Sequence, residues 1–274
     1  VTAAPAARGT GRVVLVGAGP GDVGLLTLAG WRALGEADVV VHDRLGPVDV
    51  LDDLGPDVEV IDVGKRPGHH PVPQPEISRL LVEHARRGRV VVRLKGGDPF
   101  VLGRGGEEVL ACRAAGVPVS VLPGVSSALA APSVAGIPLT HRGTVRAFLV
   151  VDGHDGWCEA ALVGLRDRTC TVVVLMGVAT AGALARDALR AGVAPDVPVA
   201  IVERATTPEQ RVTHATLGTL EAVVREAHVR APAVLVLGDV AAPGLLEPGA
   251  DATPGGEAAD VRRAVDLTDR TMAS

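Results

Sequence analysis

No tyrosine occurs in this chain of 274 residues, and there are only two phenylalanines and two tryptophans. A core built with so few rings must be packed from valine, leucine, isoleucine and alanine, and the aromatic platforms on which nucleic-acid bases stack are lacking. The net charge is −5 and the cations form no block, so the electrostatic footprint of a nucleic-acid-binding surface is missing as well. Three cysteines, Cys112, Cys158 and Cys170, are odd in number and lack CxxC spacing. This argues against a disulfide framework or a thiolate zinc site and leaves them as packing residues. No apolar run reaches the roughly 18 residues of a membrane span. The N-terminal VTAAPAARGTG has no signal-peptide core. A cytoplasmic protein with neither nucleic-acid nor membrane partners is expected.

Short β-branched runs are what the chain has in quantity. RVVLVG (12–17), ADVVVHD (37–43), VEVIDVG (58–64), RVVVRL (89–94) and VPVSVLPG (117–124) are continuous apolar runs, the pattern of parallel strands covered on both faces. Helical patterns at 25–37, 75–88 and 106–116 separate them. Pro75 suits a first helical turn, and Gly88 and Gly116 suit the position just past a helix end. A second series begins beyond residues 125–135, with strands at 146–151, 170–177, 198–204 and 232–240 and helices near 180–192 and 219–229. The fold class read from this alternation is α/β. Two α/β domains, 12–128 and 129–246, are expected between Ala/Pro/Gly/Asp-rich tails at 1–11 and 247–274, which read as disordered.

In the first series each strand is followed by a polar turn: GAGPGD, HDR, GKRPGHH, KGGDPF and PGVSS. The carboxyl ends of strands in an open parallel sheet line the ligand crevice, so these five turns converge on one site. Within RLKGGDPFVLGRGGEE (93–108), Gly96 and Gly97 permit close backbone approach or positive φ, with the Asp98 carboxylate beside them. GAGPGD is a poor dinucleotide fingerprint, because the third glycine of GxGxxG falls at Asp22, where an acid would face a pyrophosphate. Asp43 and Lys65 end adjacent strands. Each alone is an ordinary loop charge, but together they form a candidate acid/base pair. His69 and His70 are adjacent, so their rings splay apart, and no metal site is expected. Glu107 and Glu108 suit a helix N-terminus through its dipole. Arg44, Arg66, Arg93, Lys95, Arg104, Arg142 and Arg146 gather mostly toward the expected cleft edge, where a net-acidic protein keeps cations for a polyanionic ligand.

Taken in order, VGAGPGDVGLLTLAG, ADVVVHDRL, VGKRPGHH, VVRLKGGDPFVLGRGGEE, PGVSSAL, AGIPLTHR, LMG and TTPEQRV give the chain, over about residues 12–241, a pattern that resembles the tetrapyrrole methylase family. The resemblance implies two α/β domains with the active-site cleft between them. It also implies S-adenosyl-L-methionine-dependent C-methylation of uroporphyrinogen III at two pyrrole rings, giving precorrin-2 for sirohaem and cobalamin, with S-adenosyl-L-homocysteine as the second product. The donor-binding positions it implies are Pro20, Gly96, Gly97, Asp98, Val101, Ser126, Ser127, Met176, Ala205 and Ala233. Asp43 is implied as proton acceptor and Lys65 as proton donor. Arg44, Arg66, Lys95, Arg104 and Arg142 would meet the carboxylates of the small-molecule tetrapyrrole, and the family implies a homodimer. Asp152 stands where the family usually has threonine, and Leu175 where an aromatic is frequent. The tails are too short to form a fused second module, so a single activity is expected. Two alternatives are another tetrapyrrole methylase of the cobalamin pathway and a non-catalytic tetrapyrrole-binding protein. The pairing of Asp43 with Lys65 argues against the second.

Overall fold

The computed structural model describes residues 11–64 and 72–246. Lys65, Arg66, His69 and His70 therefore lie outside the described residues, as do 1–10 and 247–274. The chain divides after Ser126 into two compact units.

The first unit carries β1 (Arg12–Gly17), β2 (Val39–His42), β3 (Glu59–Asp62), β4 (Val90–Lys95) and β5 (Val119–Leu122) in the order β3-β2-β4-β1-β5. Every pairing is parallel, and the central valine runs are covered on both faces. Alternation along the strands divides the core into two layers. Val13, Leu15, Val41 and Val91 pack with Leu81 and Val109 of helices α2 (Gln74–Arg86) and α3 (Gly105–Ala114). Val14, Val16, Val40, Val92 and Leu94 pack with Leu34 of α1 (Leu28–Gly35) on the opposite face. The helix punctuation holds. Thr27 caps α1 by accepting from the Gly30 amide at 3.1 Å, Pro75 lies in the first turn of α2, and Gly88 and Gly116 take φ of +79° and +69° beyond α2 and α3. Edge strand β3 departs from the expected two-sided burial, with Val60 44% exposed.

The second unit contains α4 (Ser127–Val134), β6 (Ala147–Asp152), α5 (Glu159–Arg166), β7 (Cys170–Leu175), α6 (Ala181–Arg190), β8 (Pro198–Glu203), β9 (Arg211–Thr216), α7 (Leu220–Glu226) and β10 (Ala233–Leu237). Its sheet order is β6-β7-β10-β8-β9. Of these pairings β6–β7 is parallel, while β10 runs antiparallel to both β7 and β8, and β9 antiparallel to β8. The α/β class holds for this unit, and the structure adds one strand and two helices to the expected series. RVTHAT is a strand although Arg211 and His214 are exposed, because it pairs with β8 along its whole length. The helices α4 and α5 are also present. No helix among the described residues is long and apolar enough to cross a membrane.

Cys112 and Cys170 are buried, whereas Cys158, just ahead of α5, is exposed and is not a packing residue. Burial, with a further contribution from Glu108, pushes the Cys112 thiol up to about 11; burial also raises that of Cys170. A thiol reagent at pH 8 should therefore modify Cys158 in the native protein and reach the other two only after denaturation. Fast native labelling of Cys112, read by peptide mass mapping, would contradict this packing.

Candidate active site

The carboxyl ends of β1, β2, β4 and β5 are joined by direct contacts. Gly19 and Gly97 form an antiparallel bridge, with the Gly97 amide donating to the Gly19 carbonyl at 2.8 Å and the reverse bond at 3.3 Å. The two glycines of the KGGD turn have separate tasks. Gly97 takes φ +68°, while a Cβ on Gly96 would lie 2.5 Å from that of Leu45. Gly17 and Gly124 also touch, so that a Cβ on Gly17 would lie 2.4 Å from the Gly124 nitrogen.

Aspartates stitch these turns by accepting the amide two residues on, the Asx-turn pattern. Asp22 takes Gly24, Asp62 takes Gly64, Asp98 takes Phe100 and, in the second unit, Asp152 takes His154. Asp43 and Asp98 also reach across to another turn. Asp98 Oδ2 accepts the Gly124 amide at 3.1 Å. Asp43 Oδ1 accepts the amides of Leu45 and Gly96, each at 3.1 Å, and Asp43 Oδ2 lies 3.3 Å from Arg93 Nη2. The Asp43 side chain nevertheless keeps 21% of its surface exposed, so a ligand at this edge can reach it.

The expected cations divide. Arg44 pairs with Asp62 at 2.8 Å and Arg104 with Glu107 at 2.7 Å, both on the surface, and Arg142 is exposed. Lys95, expected at the cleft edge, is buried at 3% exposure, and so is Arg93. Both side chains project from β4 on the face of Val91 into the α2/α3 layer, where Glu108 Oε1 accepts from Lys95 Nζ at 3.1 Å and Arg93 Nε at 3.2 Å. Burial, and then the Arg93 charge, lower the Lys95 ammonium below the ordinary lysine value against the opposing pull of Glu108. Glu108 is thus an ion-pair centre at 0% exposure, a role its helix-dipole reading did not capture. A period-two reading of Arg93 and Lys95 could have found it, since both fall on a covered face and must be met there by an acid.

Pro20 and Val101 are half-buried in turns of the first unit, Ser126 is buried at its end, and Ser127 begins α4 of the second. The second unit brings together three positions distant in sequence. β10 lies between β7 and β8 and runs against both, so Ala233 at its start is level with the ends of those strands, opposite Glu203. Met176 and Ala205 follow directly from these ends. Backbone strain gathers here. Met176 takes φ +57°, and Arg204 and Thr206, which flank Ala205, take +44° and +70°. Arg168 and His228 also have positive φ, but they lie just beyond α5 and α7, where helix endings ordinarily place such residues. In the first unit Leu102, beside Val101, takes +52°. Left-handed backbone at bulky residues is costly and concentrates at ligand sites.

A family model described as Tetrapyrrole (Corrin/Porphyrin) Methylases matches residues 12–221. The chain belongs to this family. Among the relatives of this tetrapyrrole methylase, a siroheme synthase of Tolumonas auensis is 47% identical over 235 residues, covering 85% of this chain and 50% of its own length. A uroporphyrinogen-III C-methyltransferase of Methanocaldococcus jannaschii is 45% identical over 234 residues, covering 84% and 97%. The chain thus spans about half of the one relative and nearly all of the other. A crystal structure of uroporphyrin-III C-methyl transferase from Thermus thermophilus complexed with S-adenyl homocysteine aligns with TM-score 0.71 and 47% identity, over 84% of this chain and 98% of that one.

The residues present in this methylase fit a sulfonium donor. None of the positions the resemblance implied for it carries a cationic side chain, and several lie at or beside strained or glycine backbone, where carbonyls can be presented to a ligand. A Gly97→Val variant should lose S-adenosylhomocysteine binding by calorimetry, because a β-branched residue resists φ > 0 and crowds the approach. Wild-type affinity in the folded variant would rule out this turn as part of the donor site.

Proposed function

We propose that the chain transfers methyl groups from S-adenosylmethionine to two pyrrole rings of uroporphyrinogen III, giving precorrin-2, and that it works as a cytoplasmic homodimer. The observation that carries the chemistry is the Asp43 carboxylate, fixed beside the Gly96–Gly97 turn by three donors and still partly exposed. The relatives' names support the substrate and the donor.

The donor supplies an electrophilic methyl group on a sulfonium. A nucleophilic pyrrole carbon forms the new carbon–carbon bond, the sulfur–methyl bond breaks with its electron pair left on sulfur, and a proton must then leave the macrocycle. Orientation supplies most of the rate for such a transfer. The glycine turns provide orientation because no side chain intervenes there. Asp43 accepts the proton. Lys65 is assigned the opposite role of proton donor on the family resemblance. Arg44, Arg104 and Arg142 meet the substrate's carboxylates, with Arg44 and Arg104 exchanging surface ion pairs for them.

Incubation with uroporphyrinogen III and methyl-labelled donor should place two labels on each product molecule. No transfer, or a different number of labels, would overturn the assignment. Asp43→Asn should slow turnover by roughly 10²–10⁴ while leaving S-adenosylhomocysteine affinity unchanged. Near-normal turnover would reduce Asp43 to a turn former like Asp62. Light scattering tests the dimer, which a monomeric mass at assay concentration would exclude.

A further inference from the structure

The ion-pair centre under β4 is connected to Asp43 through a single side chain. Arg93 places Nε on Glu108 Oε1 at 3.2 Å and Nη2 on Asp43 Oδ2 at 3.3 Å, while its Nη1 donates to the carbonyls of Leu94 at 2.8 Å and Val41 at 3.4 Å. A guanidinium is a rigid plane. Once Nε and Nη1 are held, the direction of Nη2 is settled, and with it the position of the carboxylate oxygen it contacts. Glu108 Oε1 is additionally held by Gln74 Nε2 at 3.0 Å and Lys95 Nζ at 3.1 Å, whereas its buried Oε2 has no hydrogen-bond partner among the described residues. The oxygen that takes these bonds is the one that holds Arg93.

We propose that Glu108 is a positioning residue for Asp43: acting through Arg93, it fixes the orientation of the Asp43 carboxylate and takes up part of the cation's pull on it. This rests on Asp43 being the proton acceptor. Among the described residues, few charged groups face Asp43. Arg93 and, electrostatically, Lys95 face it from β4. His42 Nδ1 lies 2.9 Å from the Asp43 carbonyl, Arg44 is turned to Asp62, and Asp98 is engaged by the Phe100 and Gly124 amides. Glu108 is paired with both Arg93 and Lys95, and Arg93 is the one of the two in contact with Asp43.

With Glu108 neutral, Arg93 acts on Asp43 without its counter-charge. The ionised carboxylate is then favoured and becomes a poorer base. In the full-length chain, Glu108→Gln should lower kcat roughly 10- to 100-fold and leave S-adenosylhomocysteine affinity unchanged. It should also move the acidic limb of the pH–rate profile to lower pH. A purely structural Glu108 would reduce the folded fraction and the melting temperature without moving that limb. Glu108→Asp keeps the charge but is one methylene shorter. It covers the case in which the Gln variant does not fold, and should show a smaller loss of kcat with a smaller shift in the same direction. Folded Glu108 variants with a wild-type limb and kcat, alongside an inactive Asp43→Asn, would overturn the proposal alone. An active Asp43→Asn would instead remove the reading on which it rests.

Discussion

Valine strands covered on both faces leave polar groups little room except at the strand ends, and the first unit is organised by that constraint. A parallel sheet puts all its carboxyl ends on one edge, so the polar residues that valine excludes from the core collect there. The turns carry backbone amides that the ladder does not use, and aspartates accept them at the ends of β2 and β3 and within the turns after β1 and β4. Asp43 differs from its neighbours in having a buried cation behind it. Arg93 and Lys95 are the exceptions to the apolar rule in β4, and they require Glu108 because a buried charge without a partner costs several kcal/mol.

Much of this was legible in the sequence. Continuous valine runs identify strands covered on both faces, and Pro75, Gly88 and Gly116 mark helix ends through φ preferences that act locally. The convergence of the turns follows from topology alone. The second unit was less legible for a physical reason. β9 has only Val212 and Ala215 as apolar residues, three apart and without strand alternation, in a segment, TTPEQRVTHAT, that also carries turn residues, and its pairing with β8 is fixed by tertiary contact and not by local propensity. A continuous valine run reports burial on both faces and not the direction of pairing, so the antiparallel half of that sheet reads as a continuation of the first. The burial of Lys95 was missed because a lysine between a strand and a glycine turn resembles a rim residue. Its sequence parity with Arg93 and Val91 was the available clue.

The two units make their edges differently. The first uses mainly glycines, whose positive φ and missing Cβ let four turns touch, with left-handed backbone also at Leu102 and Arg104. The second uses ordinary residues in conformations they disfavour, at Met176, Arg204 and Thr206, and close glycine packing where a Cβ on Gly153 would lie 2.4 Å from the Gly177 Cα. Strain of this kind persists only when the surrounding structure over-determines it. Here the two longest-buried strands, β7 and β8, supply that support, each with all or nearly all of its residues inaccessible.

The seat of β10 has a consequence for the order in which the chain can be completed during synthesis. The last strand of the second unit, Ala233–Leu237, is the central one of its sheet. Until it has been made, β6–β7 and β8–β9 exist as separate ribbons, each presenting a buried-type valine edge, β7 or β8, with no partner. The first unit has all five strands of its sheet by Leu122. A ribosome stalled short of Ala233 therefore carries one finished sheet and two open strand edges, which are the templates for pairing between chains that folded proteins otherwise keep covered.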